Sequence, residues 1–191
     1  MRMLTSVAGS LAVAALTFVP VTTPALAAQE PSPQAVVTCM GQVANVVGTE
    51  GDDFQTGTPG NDVVALLGGN DTYADAGGND LVCLGAGNDV MGADSTFVTN
   101  SDTVDAGPGN DQVFAFDGAD IVFGGDGGDE LHGGNGTDDL RGQAGDDDLF
   151  GEGANDVLRG NTGADSADGG PGPNDQCAAE TEAACEADPS S

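Results

Sequence analysis

Tryptophan is absent from this chain of 191 residues, tyrosine and histidine occur once each, and arginine and lysine together number three. Each shortage excludes something. One tyrosine and seven phenylalanines are too few aromatics for a conventional two-layer core. Three basic residues cannot form the stripe that holds nucleic-acid phosphates. A single imidazole, His132, leaves no HExxH motif and no dedicated Ser/His/Asp triad, and its position beside a turn suits a solvated surface role. The glycine-rich arcs lack a Walker lysine, and the cysteines are too few and scattered for a closed zinc site.

What is abundant is acid and glycine. Thirty-two Asp or Glu give a formal net charge of -29, and glycine also reaches 32. A chain of this charge expands by self-repulsion unless something cationic neutralises it.

The acid is periodic. Residues 124–141 read GGDGGDELHGGNGTDDLR, two nine-residue units laid end to end, each with glycines in slots one, two and four, Asp in slot six and an apolar residue in slot eight. The same interval places Asp53, Asp62, Asp71, Asp80 and Asp89 nine apart in a first block. In a second block Asp102, Asp111, Asp120, Asp129, Asp138, Asp147, Asp156 and Asp165 repeat the interval. The interval from Asp89 to Asp102 is thirteen instead of nine, a four-residue insertion expected to leave the stack as a loop. The apolar slot departs strongly only at the ends, Gln55 and Ala167, where capping units are atypical. Slot four holds Gly51, Gly60, Gly69, Gly78, Gly87, Gly109, Gly118, Gly127, Gly136, Gly145 and Gly163, replaced by Asn100 and Ala154. Asn tolerates the left-handed conformation that such a turn needs better than Ala does, so the turn at Ala154 is expected to be the least well formed.

Each unit contains one sharp turn and one short strand, so two units close a coil. The expected fold is all-β: a parallel β-roll, or β-solenoid, with two sheets and two turn edges. Asp53, Asp71, Asp89, Asp111, Asp129, Asp147 and Asp165 fall on one edge and the remaining six on the other. Parallel strands stack roughly 4.8 Å apart, so a column of bare carboxylates repels itself strongly. A divalent cation between stacked turns removes the repulsion, and carbonyl-rich, flexible oxygen sites favour calcium over magnesium.

Ahead of the repeats, residues 11–19 form an apolar run followed by Pro20, Pro24 and a small-x-small site at Ala25 to Ala27. This reads as a secretory signal peptide over 1–27, cleaved after Ala27 or Ala28, with an uncleaved anchor as the competing reading. The expected organisation continues with a flexible arm at 28–38, an N-terminal cap at 39–47, five units over 48–92, inserted residues 93–96 and eight units over 97–168. A degenerate repeat and cap occupy 169–191, where Gly170, Gly172 and Asp175 imitate one more unit with an extra residue. Export would let disulfides persist. Four cysteines permit three pairings; Cys39 with Cys83 and Cys177 with Cys185 are expected, against the alternative of free thiols.

In period, glycine slots, Asp slot and apolar slot, residues 39–177 resemble the RTX, or haemolysin-type, calcium-binding repeat proteins, most closely the small secreted actinobacterial members made almost wholly of repeats. The resemblance implies a calcium-loaded β-roll in which the thirteen aspartates and main-chain carbonyls bind several ions. Leu66, Leu67, Asp75, Ala76, Ala115 and Phe116 replace opening glycines, and residues 97–100 lack them, so weaker binding is expected there. Many relatives are exported toxins, proteases or lipases, but a chain with no large non-repeat domain carries none of those activities over. The carboxylates recur with the ladder, unlike a unique glycosidase pair, so no enzyme activity is expected. The expected role is a secreted calcium-binding protein whose folding is coupled to ligation, with no nucleic-acid partner and no membrane span after cleavage. Two other roles compete: a surface or matrix adhesin with purely structural calcium, and an accessory to a secreted hydrolase. Outward ninth-slot residues Phe114, His132 and Phe150 should stack on one face, and Phe123, Arg141 and Arg159 on the other, which motivates a surface or self-association partner.

Overall fold

The computed structural model describes residues 36–93 and 100–179. The signal segment expected over 1–27, most of the 28–38 arm, the inserted residues from 94 and the tail containing Cys185 lie outside the described residues.

The described residues form two parallel sheets and no helix. The first sheet orders Val46–Val47, Val63–Ala65, Leu81–Cys83, Thr103–Pro108, Ile121–Asp126, Asp139–Ala144, Val157–Thr162 and Gln176–Ala178. The second orders Phe54–Thr56, Thr72–Asp75, Val90–Ala93, Gln112–Phe114, Glu130–Gly136, Asp148–Gly153 and Ser166–Asp168, with Asp117–Gly118 paired beside Glu130–Gly136. Apart from Gln112–Phe114 and Asp117–Gly118, which share the second sheet, the strands of the roll that are consecutive in sequence fall in opposite sheets, so each pairs with the strand one coil away. This is the parallel β-roll with two units per coil.

The apolar slot sets the register. In the first sheet Val46, Val64, Val82, Val104, Val122, Leu140, Leu158 and Cys177 align strand to strand. In the second, Gln55, Tyr73, Met91, Val113, Leu131, Leu149 and Ala167 do the same. Side chains alternate across a strand, so the middle residue of each short strand faces the opposite sheet while its neighbours face out. Val64 to Leu158 in the first column, and Tyr73 to Ala167 in the second, are accordingly buried. Pairing passes from Val82 to Val104 and from Met91 to Val113 without a slip, so the four extra residues leave the ladder intact.

Two features go beyond the sequence pattern. Slot one also faces inward: among the described residues Leu66, Leu84, Ala106 and Ala115, apolar residues in place of the opening glycine, join the core. The valine-rich stretch before the repeats is not one strand but two. Gln42–Val43 pairs antiparallel with Thr38–Cys39 through a tight turn at Met40 and Gly41, both at positive φ, as two-residue hairpins require. Asn45 then interrupts the chain, because its side chain accepts from the Val63 N–H at 2.5 Å and donates to Asp62 Oδ1 at 2.6 Å.

Cys39 and Cys83 are joined by a disulfide, which ties this hairpin to the first sheet. Cys177 is also disulfide-bonded, and its expected partner Cys185 lies outside the described residues. The Cys39–Cys83 bridge closes a loop with a sequence separation of 44, which in the chain-entropy treatment corresponds to about 4 kcal/mol. Replacing both cysteines with serine is expected to lower stability in calcium by up to that amount in urea melts. Hydrogen exchange should localise the loss to residues 38–83.

Candidate metal centre

The turns between strands are built by glycines that let successive coils touch. Gly136 is at φ 155°, and a methyl group there would collide with the Gly118 carbonyl one coil earlier. Gly127 stands in the same relation to Gly109. Ala154 occupies the equivalent slot at φ 90°, a left-handed conformation that a β-carbon disfavours. At Asn100 the side-chain amide donates to Asp102 Oδ2 at 2.8 Å.

Stacked turns line the slot-six aspartates into two columns. On one edge the N–H of Asp53 donates to Asp71 Oδ1, Asp71 to Asp89, Asp89 to Asp111, Asp111 to Asp129, Asp129 to Asp147 and Asp147 to Asp165, all within 2.7–3.1 Å. On the other, Asp62 donates to Asp80, Asp80 to Asp102, Asp102 to Asp120, Asp120 to Asp138 and Asp138 to Asp156, within 2.7–2.9 Å. This edge continues by one member, because the Asp156 N–H donates to Asp175 Oδ1 at 3.0 Å. Asp175 thus takes the column place of the degenerate unit that it forms with Gly170 and Gly172, despite the extra residue in that turn. All thirteen sequence-expected aspartates therefore stand in the two columns, and all but Asp53 are buried.

One oxygen of each carboxylate beyond Asp53 and Asp62, which head the columns, is thereby fixed, and the other oxygen divides the aspartates into classes. The second oxygens of Asp71, Asp89, Asp111, Asp120, Asp129, Asp138, Asp147 and Asp156 are buried and meet no protein donor. Leaving buried carboxylate oxygens unsatisfied is costly, and calcium is a group that satisfies them. At four other positions the protein supplies a donor itself. Thr49 donates its N–H and hydroxyl to Asp53 Oδ2 at 2.6 and 2.9 Å. Thr58 does the same to Asp62 Oδ2 at 2.6 and 2.9 Å. The Tyr73 hydroxyl reaches Asp80 Oδ2 at 3.3 Å, and Asn100 serves Asp102. The threonines are visible in the sequence as TEGDD and TPGND, but only the folded turn shows what they contact.

The opening glycine completes the oxygen pocket. A methyl group on Gly151 would lie 2.6 Å from Asp156 Oδ2 and 2.9 Å from the Gly169 carbonyl of the next coil. Gly124 faces Asp129 Oδ2 and, at 2.8 Å, the Gly142 carbonyl in the same way. A space bounded by a carboxylate oxygen and a main-chain carbonyl from successive coils has the hard-oxygen character that calcium takes. Among the described residues no three Asp, Glu, His or Cys side chains form a metal cluster by themselves. Carbonyls must therefore contribute, as the glycine-rich turns allow.

Proton affinity reflects the same crowding. Burial pushes Asp111 and Asp120 up to about 7, reinforced by carboxylates above and below in the column. Asp102, Asp129, Asp138 and Asp156 rise to about 6, again chiefly through burial. Asp80 is raised by burial and by Asp75 and Asp102 beside it. Asp62 goes the other way: burial raises it, but the Thr58 N–H, the Asn45 amide and the Thr58 hydroxyl outweigh burial and leave it lowered.

A family model described as RTX calcium-binding nonapeptide repeat (4 copies) matches residues 45–74, 75–91, 99–131, 123–158, 132–167 and 150–173, together more than half of the chain. No curated protein matches it. Asp175 falls just past the last matched segment.

Relaxing the strained turn gives a direct check on this geometry. Ala154→Gly is expected to stabilise the roll by about 1 kcal/mol, because a residue at positive φ gains more from losing its β-carbon than the unfolded chain gains in freedom. Gly133→Ala should do the reverse, since its methyl would stand 2.5 Å from Asp138 Oδ2. Calcium-dependent melting of the two variants reads both signs.

Proposed function

Because this chain belongs to the family of RTX calcium-binding nonapeptide repeat proteins, we propose that calcium ions between successive coils hold the roll together and that folding is coupled to their binding. The observation that carries this reading is the column of buried carboxylate oxygens with no protein donor. Folding without cations would bury these charges against one another, whereas calcium bridges a carboxylate and carbonyls of adjacent coils and turns the repulsion into a tie.

The proposed sites are graded. Asp129, Asp138 and Asp147 combine an unsatisfied oxygen with glycine at Gly124, Gly133 and Gly142 and form the strong class; Asp156 has the same oxygen and Gly151, but the strained Ala154 in its turn weakens it. Asp71, Asp89, Asp111 and Asp120 have an unsatisfied oxygen, but Leu66, Leu84, Ala106 and Ala115 put a side chain where the opening glycine leaves room. These form the weaker class. Asp53, Asp62, Asp80 and Asp102 are held by Thr49, Thr58, Tyr73 and Asn100, so the N-terminal coils close with less dependence on metal. Asp165 retains the role that its place in the repeat implies.

Repeats of this family are typically structural or binding elements rather than catalytic ones, and we assign this chain no catalytic role. We further propose that it is secreted. The leader-like composition of 1–27 and the Cys39–Cys83 disulfide support this, since such bonds persist in oxidising compartments. No helix among the described residues is long and apolar enough to cross a membrane.

Circular dichroism during a calcium titration from excess chelator tests the coupling. Strand signal should appear cooperatively with calcium at pH 7.5. A chain already folded in chelator, or one unchanged by millimolar calcium, would overturn the proposal. The pH dependence has a definite sign. A carboxylate raised to about 6 or 7 in the roll, but near 3.9 when unfolded, holds a proton that unfolding releases. The metal-free roll therefore gains stability that is fully present below about pH 4 and is lost as pH rises through 6 to 7. Calcium competes with those protons, so its apparent affinity should fall as pH drops from 7.5 to 5.5 in the same titration.

A further inference from the structure

The aromatic ladder on the second sheet ends at a hollow. Phe114, His132 and Phe150 stand in register on successive strands and stack with ring centroids 4.6 Å apart. The residue in register beyond Phe150 is Asp168, which brings a carboxylate instead of a ring. The stack stops there, and Phe150 borders a cavity of about 350 Å³ lined also by Asn135, Glu152, Asp168 and Pro171. One oxygen of Glu152 contacts His132 Nδ1 at 3.0 Å, and one oxygen of Asp168 accepts the Gly170 N–H at 3.0 Å. Both side chains remain exposed. The hollow thus offers an aromatic ring to a flat group and carboxylate acceptors to hydrogen-bond donors.

The other sheet shows what this combination holds. There Phe123, Arg141 and Arg159 are in register. The Arg141 guanidinium lies 5.0 Å from the centre of the Phe123 ring, and Asp139 takes its Nε and Nη2 at 3.1 and 2.6 Å. Arg159 shares the same carboxylate at 2.6 Å. A coil spacing that stacks rings also stacks a guanidinium on a ring, provided a carboxylate anchors it. At the hollow the ring and the carboxylates are present, and among the described residues no basic side chain supplies the cation. The chain's basic side chains are Arg2, Arg141 and Arg159; the last two are committed to Asp139, and Arg2 lies outside the described residues.

We propose that the hollow formed by Phe150, Glu152 and Asp168 binds the guanidinium of an arginine on a basic partner polypeptide. Guanidinium is planar, so it can continue a ring stack, and its fork of donors matches two carboxylates. Lysine matches the charge but not the plane. The net charge of -29 draws a cationic partner toward the surface from a distance. A sugar ring could also stack on Phe150 and donate to carboxylates, but it gains nothing from the field.

The test uses the full chain in millimolar calcium, titrated with acetylated tri-arginine amide, tri-lysine amide and maltotriose. His132 is the only histidine, so its ring protons give isolated NMR signals that report on the stack. Tri-arginine is expected to shift them and to bind about fivefold tighter than tri-lysine. Phe150→Leu should lose about that factor, and the Glu152→Gln, Asp168→Asn pair should lose at least as much. Asp126→Asn, a charge removed from the other sheet, should leave binding within about twofold of the parent, as a distant exposed charge does. If Phe150→Leu fails to fold by circular dichroism, the carboxylate pair and the arginine-to-lysine ratio decide. Equal affinity for the two peptides, with no effect of the variants, would reduce the effect to diffuse attraction and overturn the proposal. So would a His132 response to maltotriose and none to arginine.

Discussion

Every coil of this roll depends on one contact, the acceptance by an aspartate Oδ1 of the backbone N–H of the aspartate one coil earlier. The contact does two things at once. It fixes the height of each turn over the last, and it holds the carboxylate so that its second oxygen points into the space between coils. Repeated along both edges, it places like charges a few ångströms apart in a buried column. Burial and the neighbouring carboxylates raise the proton affinity of its members. Calcium between the coils, as proposed, relieves that repulsion.

The core alone is a slender counterweight. Two rows of buried Val, Leu, Tyr and Met face each other across the sheets, and slot one thickens them only where the opening glycine is lost. That substitution trades metal geometry for apolar burial. Leu66, Leu84, Ala106 and Ala115 all precede Gly124, together with Thr49, Thr58, Tyr73, Asn100 and the Cys39–Cys83 disulfide. One end of the solenoid thus carries the additional protein interactions, and the other depends, on the proposed reading, more heavily on calcium. Repeat proteins permit such a gradient because each coil contacts only its neighbours. An elongated array of this kind can be ordered at one end before the other.

The outer faces follow from the same spacing. A coil repeat that aligns aspartates on the edges also aligns whatever stands in slot nine, so chance aromatic or basic residues become ladders. Phe114, His132 and Phe150 form one such ladder, with Glu130 and Glu152 at the two imidazole nitrogens. Phe123 and Arg141, with Asp139, form the other.

Much of this was legible in the letters because the repeat is translational. Nine-residue spacing with two units per coil gave the two columns, the two sheets, the continuity across the insertion and the slot-nine ladders, since a residue's height and face depend only on its slot. What periodicity could not reach are contacts that break the slot rule. Asp175 joined its column despite an extra residue, Asn45 capped another by reaching across to Asp62, and Thr49, Thr58, Tyr73 and Asn100 answered particular carboxylates. By itself the sequence determined the architecture and the chemistry of the edges, because both are properties of the average unit. The tertiary structure alone decided which carboxylate oxygens are met by protein and which are left for a cation. That depends on where individual side chains end, and a repeat pattern does not record it.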